Sequence, residues 1–407
     1  MSTAETSPFL SSLQKLFERQ KRNTLQEKAW DHFLELGLPD KSSDAFRYVP
    51  LRKLYDMELT AESQLPSKEE ITSHLLPEAG GYLVFAGGRF CKELSQLPAQ
   101  IMISSLQDAL KTYGSFLQGR LMRNIKEEAD PFAVLNMAAE QDGLFCYLPP
   151  KVKIEKPLQI IYYGSGHTSY HPTRLQFFLS SDSELKTVVA TVGQGVHHTA
   201  IDAALEDRAV WSHLEMSTQG SGVHLNDFKA TLKASSRLEH LSIVTSQRLT
   251  RNRLKIALLG EQADALLQGL WSLSGNHQCH THVFIEHAAP NARSLQKYKG
   301  VLKDQAQSSF EGKIYVHPEA QKTEAYQVNR NLLLSEGAVA NAKPNLEIFA
   351  DDVKASHGAT MSQVDAEQLF YLQSRGLTQE TARNLLLQGF MQEIIQQIPY
   401  PSLRYGF

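Results

Sequence analysis

Cysteine is nearly absent. Cys91, Cys146 and Cys279 are the only three in 407 residues. A sparse, odd count argues against a disulfide framework and for a reducing compartment. No two of them stand at the C-x-x-C spacing of a zinc ligand pair, and three thiolates cannot make a four-thiolate iron–sulfur site within one chain. A charge of one sign is lacking too. Lys+Arg 41 against Asp+Glu 44 leaves a net charge of −3, which offers no field for nucleic acid or an anionic membrane. No apolar run approaches the roughly 20 residues of a membrane-spanning helix. The opening residues, MSTAETSPFLSSLQKLFERQ, have no basic segment followed by an apolar one, so no secretory leader is expected. The expectation is a soluble, cytoplasmic protein.

Catalytic signatures are missing as well. The Gly-Lys pair Gly312-Lys313 is followed by Ile314, so there is no P-loop to cradle a phosphate. No G-x-G-x-x-G, G-x-S-x-G or H-E-x-x-H occurs. These absences weigh against a self-contained enzyme.

What is present falls into three stretches. Residues 8 to 36 read as helical, with Phe9, Leu13, Leu16, Phe17, Trp30, Phe33, Leu34 and Leu36 at three- and four-residue steps, ended by Gly37 and Pro39. GYLVFAGGRF and AQIMISSL read as short strands, the first entering a Gly87-Gly88 turn. The helical period returns from Gln107 to Glu140. From Lys151 to about Ile348 the chain carries many short strand-like runs, among them LQIIYY, LKTVVATV, THVFIEH and GKIYVH, with no proline between Pro172 and Pro290. Sandwich, barrel and stacked β-coils all fit such a middle, and no strict repeat length is visible. Helical spacing resumes after residue 360. Asp365 with Gln368 resembles a capping box. Thr378 is a cap for a helix whose stripe includes Leu386, Leu387, Phe390, Met391, Ile394 and Ile395. The boundaries read as 1–150, helical and mixed; 151–350, β core; and 351–407, helical.

Two constellations invite a chemical reading. HQCHTHVFIEH brings together His277, Cys279, His280, His282 and His287, all ligand types for zinc, iron or copper. In a strand, His280 and His282 share one face while His277, Cys279 and His287 share the other, so the set does not converge. DDVKASHGAT holds a single imidazole, His357, among small residues. A lone histidine is commonly a hydrogen-bonded structural residue. It also titrates and binds metals near neutral pH, and Gly358 suggests a tight bend that would present it at an edge.

The stretch from Gly312 to Leu377 closely resembles the SufB/SufD family of iron–sulfur cluster assembly scaffold proteins. It carries AQKT at Ala320, NLLLS at Asn331, KPNLEI at Lys343, ADDVK, SHGAT and FYLQSRGL. Upstream, GLPDKSSDAFRYVPL at Gly37, LVFAGGRF at Leu83 and DPFAVLNMAAEQDGLFCYLP at Asp130 look like the SufD branch. Many members read V-K-C-S-H-G-A-T in the present segment. Here Ala355 replaces the cysteine, which removes one thiolate and leaves His357.

The resemblance implies a mainly β chain, a right-handed parallel β-helix flanked by N-terminal and C-terminal helical regions. It implies a non-catalytic, SufD-like scaffold subunit that pairs with SufB and binds the ATPase SufC, which would supply the nucleotide hydrolysis this chain lacks. It places His357 at the SufB interface as an iron or cluster ligand, with a cluster transient there and no cofactor held stably by the isolated chain. The C-terminal helices, through Leu386, Phe390 and Ile394, are the implied SufC contact. Leu346 and Ile348, on the last coils, are the expected SufB contact, because open strand edges need covering. Two other functions compete: a stand-alone β-helix enzyme acting on carbohydrate, and a purely structural homodimer. Asp351 and Asp352 are adjacent and point to opposite faces of an extended chain, so they make no catalytic carboxylate pair.

Overall fold

Strand connectivity decides the architecture. The structure, a computed structural model, describes residues 7–404, except the side chains of residues 115 and 116. The first six residues of the stretch read for a leader therefore lie outside the described part. Two sheets run side by side, one of ten strands and one of nine, and sequence neighbours alternate between them. In the ten-stranded sheet, Leu158–Gly164, Glu184–Gly193, Val210–Gly220, Arg237–Val244, Asp264–Leu273, Arg293–Leu302, Thr323–Leu333 and Val353–Ser362 pair in that order, all parallel. The nine-stranded sheet stacks Tyr170–Leu179 through Val339–Ile348 in the same way. The chain is a parallel β-solenoid of about eight turns with helices at both termini. Partners in register recur after 26, 27, 29 or 31 residues, as from Thr187 to His213, Thr199 to Asn226, His280 to Ser309 and Gln296 to Gln327.

A repeated corner makes the coil. Lys151, Asp182, Arg208, Ser235, Gln262, Asn291 and Lys322 all have positive φ. A left-handed L-residue costs roughly 1–2 kcal/mol. Each of these sites offsets that cost by donating its N–H to the next turn, as Arg208 N does to Ala234 O at 2.9 Å and Ser235 N to Glu261 O at 2.8 Å. A small buried residue follows nearly every one: Ser183, Ala209, Ser236, Ala263, Ala292 and Thr323.

The two ends of the solenoid differ. At the first, Arg89–Phe90 folds back antiparallel on Gly81–Ala86 through Gly87 and Gly88, whose φ values are 61° and 79°. Met102–Ser105 lies antiparallel on Leu144–Leu148. At the other end, Val339–Ile348 and Val353–Ser362 are the outermost strands, with no strand beyond them among the described residues.

The sequence boundaries at 150 and 350 fall inside this body. Gly81–Ala86 already pairs with Leu158–Gly164, and Val353–Ser362 is a full strand of the last turn. Helices Leu106–Thr112, Gly114–Glu127 and Pro131–Ala139 interrupt the first turn, and their period masks the strands around them. Pro8–Glu18, Thr24–Leu36 and the wholly buried Pro131–Ala139 cover the outer face of the nine-stranded sheet. Both N-caps form, Asp365 accepting from Gln368 N and Thr378 from Thr381 N, but at Asp365 only this half of the expected capping box is found among the described residues.

Candidate functional site

The uncapped end carries the SHGAT segment. His357 lies in mid-strand, in register with Gln327, and the same column continues through Gln296, Leu267, His240, His213 and Thr187. Gln327 and Gln296 are fully buried inside the solenoid. The imidazole two strands further on therefore faces the same interior, but with no turn above it, and it is exposed. The expected bend at Gly358 is absent: Gly358 is a strand residue without positive φ. Alternation puts Gly358 on the outer side of the strand, where its missing side chain leaves open space.

Ala355 shares the inward face with His357, stacked on the buried Ala325. A thiolate at that position would stand beside the imidazole, two residues away on the same face. Leu346 and Ile348 pair with the buried Ile314 and Val316, and are themselves half-buried. Both point inward at the open mouth. His357 belongs to no cluster of three ligand-type side chains among the described residues.

The C-terminal helices divide the predicted stripe. Ile394 is fully buried with Ile395 and Ile398 against Leu214, Leu241, Ile243 and Leu270, on the outer face of the ten-stranded sheet. It is not accessible to a partner. Phe390 is half-buried, its ring 4.4 Å from Lys299 Nζ, which also donates to the Phe390 carbonyl at 2.7 Å. Glu393 accepts from Lys297 and Lys299 at 2.5 Å each, and these bonds hold its carboxyl down at about 2. Leu386 lines a shallow groove of about 420 Å³ with Glu367, Gln368, Tyr371, Leu372 and Leu385. Beside it Phe370, Tyr371 and Leu385 are 72%, 56% and 50% exposed. The accessible apolar surface is therefore the hairpin of Ala366–Ser374 and the first half of Gln379–Ile395.

The histidine-rich run splits between faces, as alternation requires. Cys279 and His287 point into the core of Gln278–His287, and His287 Nε2 lies 2.9 Å from Ser294 Oγ. His280 lies on the outer side, between Ser309 Oγ at 2.8 Å and Gln278 Oε1 at 3.0 Å. Burial pushes the Cys279 thiol up to about 12 and His280 down to about 3. The run holds structural hydrogen bonds, and no metal cluster is found in it among the described residues.

Sequence reading missed two polar groups. On the outer face of the nine-stranded sheet, Arg253 reaches Asp227 at 2.6 Å and Glu128 at 2.7 Å, while Arg251 pairs with Asp130. This network ties the Glu128–Asp130 loop to the solenoid. Inside the solenoid, His171, His197, His213, His224 and His240 are buried together with Glu215. Burial pushes Glu215 up to about 7; Asn226, donating at 2.8 Å, only partly counters it. The signal for this group was H-L-E at His213–Glu215, two residues of one strand face. Pairing it with His240 required the register, which the sequence did not show.

Fold and end geometry define a helix-flanked β-solenoid whose last turn is uncapped. A family model described as "SUF system FeS cluster assembly, SufBD core domain" matches residues 164–390, and one described as "SufBD protein N-terminal region" matches residues 11–160. The chain belongs to the SufBD family of the SUF system of iron–sulfur cluster assembly. The iron–sulfur cluster assembly protein SufD of Escherichia coli is 25% identical over 405 residues, covering 96% of this chain and 92% of that protein. SufD of Bacillus subtilis is 26% identical over 312 residues, with 75% and 71% covered. A SufBD family protein of Synechocystis is 28% identical over 404 residues, with 93% and 88% covered. No described helix is long and apolar enough to cross a membrane.

Proposed function

We propose that the chain is the SufD-like, non-catalytic scaffold subunit of a complex, pairing with a SufB-like paralogue at the uncapped end and binding a SufC-like ATPase through its C-terminal helices. One observation carries the reading. The chain caps its first end with antiparallel strands and leaves the last turn with open edges, half-buried Leu346 and Ile348, and an exposed inward histidine. An open parallel edge above a hydrophobic cross-section is an aggregation hazard unless a matching surface covers it. A paralogue with the same coil would continue both sheets.

His357 then lies at the junction, where a cluster under assembly would draw its other ligands from the partner. The cluster is cargo of the complex rather than a resident group of this chain. The test is co-expression with SufB-like and SufC-like partners, anaerobic purification, and measurement of subunit mass and of iron bound after iron and sulfide are supplied. A stable three-component complex supports the reading. A chain that stays alone, or that cleaves polysaccharide by itself, overturns it. A homodimer that persists when both partners are present overturns the paralogue pairing.

A further inference from the structure

We propose that His213, Glu215 and His240 form a binding site for one divalent first-row transition-metal ion inside the solenoid, far from the SHGAT segment along the coil. His213 and Glu215 are separated by one residue on Val210–Gly220 and both point inward, and His240 of the next turn stacks on His213 in register. One ligand atom from each lies within 4.8 Å of the others, and all three residues are buried.

His240 Nε2 stands 3.9 Å from Glu215 Oε2. That is too far for a hydrogen bond. It is within the span of two bonds of about 2.0–2.2 Å to an ion between them.

Three nitrogens of the two imidazoles are orphans among the described residues. His213 Nε2 and both ring nitrogens of His240 have no hydrogen-bond partner. A buried polar atom left without a partner is costly, and a shared ion would satisfy two of these nitrogens and the carboxylate at once. The surrounding bonds orient the ligands. His213 Nδ1 lies 2.7 Å from Thr187 Oγ1; with its N–H donated there, Nε2 presents its lone pair. Asn226 Nδ2 donates to Glu215 at 2.8 Å and Asn226 Oδ1 accepts from Thr199 at 2.9 Å. Such outer bonds fix ligand rings and carboxylates in metal sites. His224 is excluded, since its two nitrogens are taken by Thr199 and Ser217. Two imidazoles and one carboxylate suit ferrous iron, zinc or cobalt better than calcium or magnesium.

The inference needs neither partner and is tested on the isolated full chain. Because the ligands are enclosed, Co2+ is supplied while the chain refolds from urea. Metal is then measured by mass spectrometry, and visible d–d absorption and the melting temperature are recorded. The wild type is expected to keep about one Co2+ per chain, the stoichiometry of a single three-ligand site, with tetrahedral-type bands and a raised melting temperature. Glu215→Gln and His240→Gln are expected to lose the bands and most of the metal, while His357→Ala and His280→Gln retain both. Wild type that binds no Co2+, or folded Glu215→Gln that binds as much as wild type, overturns the site. If both variants fail to fold, the wild-type spectrum decides alone: octahedral, water-like bands overturn it.

Discussion

Arg253 stands between three carboxylates, Glu128, Asp130 and Asp227, under the N-terminal helices. Removing one partner of a buried ionic group leaves the others desolvated and uncompensated, at a cost of about 3–5 kcal/mol. Arg253→Met is therefore expected to lower the urea midpoint strongly. Arg208→Met, which breaks the exposed pair with Asp182 at a corner, is expected to leave it within error. Equal effects would mean that the buried network contributes no more than a surface pair. His357 is a different kind of residue. It is exposed, and among the described residues no side-chain hydrogen bond ties it to a neighbouring turn in the way that Gln327 is tied to Gln296. His357→Ala is expected to leave the stability of the isolated chain unchanged and the assembled complex intact, with lower cluster content and unchanged ATPase activity. Lost stability would assign it a structural role; wild-type cluster formation would remove it from the mechanism. The sequence showed this histidine through its neighbours, but not that it continues a buried column, because the column exists only in register.

Among the elements, the helix Gln379–Ile395 has two duties along its length. Its end is a lid on the ten-stranded sheet, where Ile394 is fully buried. Ile394→Ala is expected to destabilise the chain by about 2–5 kcal/mol, read by thermal or urea unfolding. Leu385→Ala and Tyr371→Ala lie on exposed surface and are expected to change stability by less than about 0.5 kcal/mol. In the proposed complex they would weaken binding of the ATPase, read in a titration. Unchanged affinity for both would move that contact elsewhere. Deleting everything after Asp365 is not a clean alternative, because it also strips the cover from Leu214, Leu241 and Ile243. The sequence spacing made the helix and its Thr378 cap legible. It could not say which part of the stripe is covered, because the sheet that covers Ile394 lies over a hundred residues earlier. The corners were legible in principle: a left-handed residue followed by a small one recurs at Asp182-Ser183, Arg208-Ala209, Ser235-Ser236, Gln262-Ala263 and Asn291-Ala292. The spacing drifts between turns and the residue types vary, so the eye sees no repeat.

For the whole molecule, burial of many neutral histidines sets the acid limit of the fold. Burial lowers His171, His282 and His287 to about 4, and His198 and His280 to about 3. The unfolded chain binds protons at these sites below pH 6.5 while the folded chain does not. Their contribution is thus complete above about 6.5 and is lost as pH falls toward 4. Each of these sites therefore favours the folded chain at neutral pH and weakens it in acid. Cooperative unfolding is expected between pH 6 and roughly pH 4 by circular dichroism, with several protons taken up. A chain still folded at pH 3.5 would show that water reaches these rings. The helical–β–helical order came from local spacing and the coil from resemblance. The solenoid's true extent did not, since Gly81–Ala86 and Val353–Ser362 pair with strands far from their own neighbourhood.

The uncapped end is the feature on which the proposed assembly rests. The most direct measurement is native mass spectrometry of the chain co-expressed with a SufB-like protein, comparing wild type with Leu346→Lys at the open end and Met102→Lys, an exposed site at the capped end. Docking at the open mouth predicts a heterodimer for wild type and Met102→Lys, and a folded, unpaired chain for Leu346→Lys. A heterodimer that survives Leu346→Lys and is lost with Met102→Lys would contradict it.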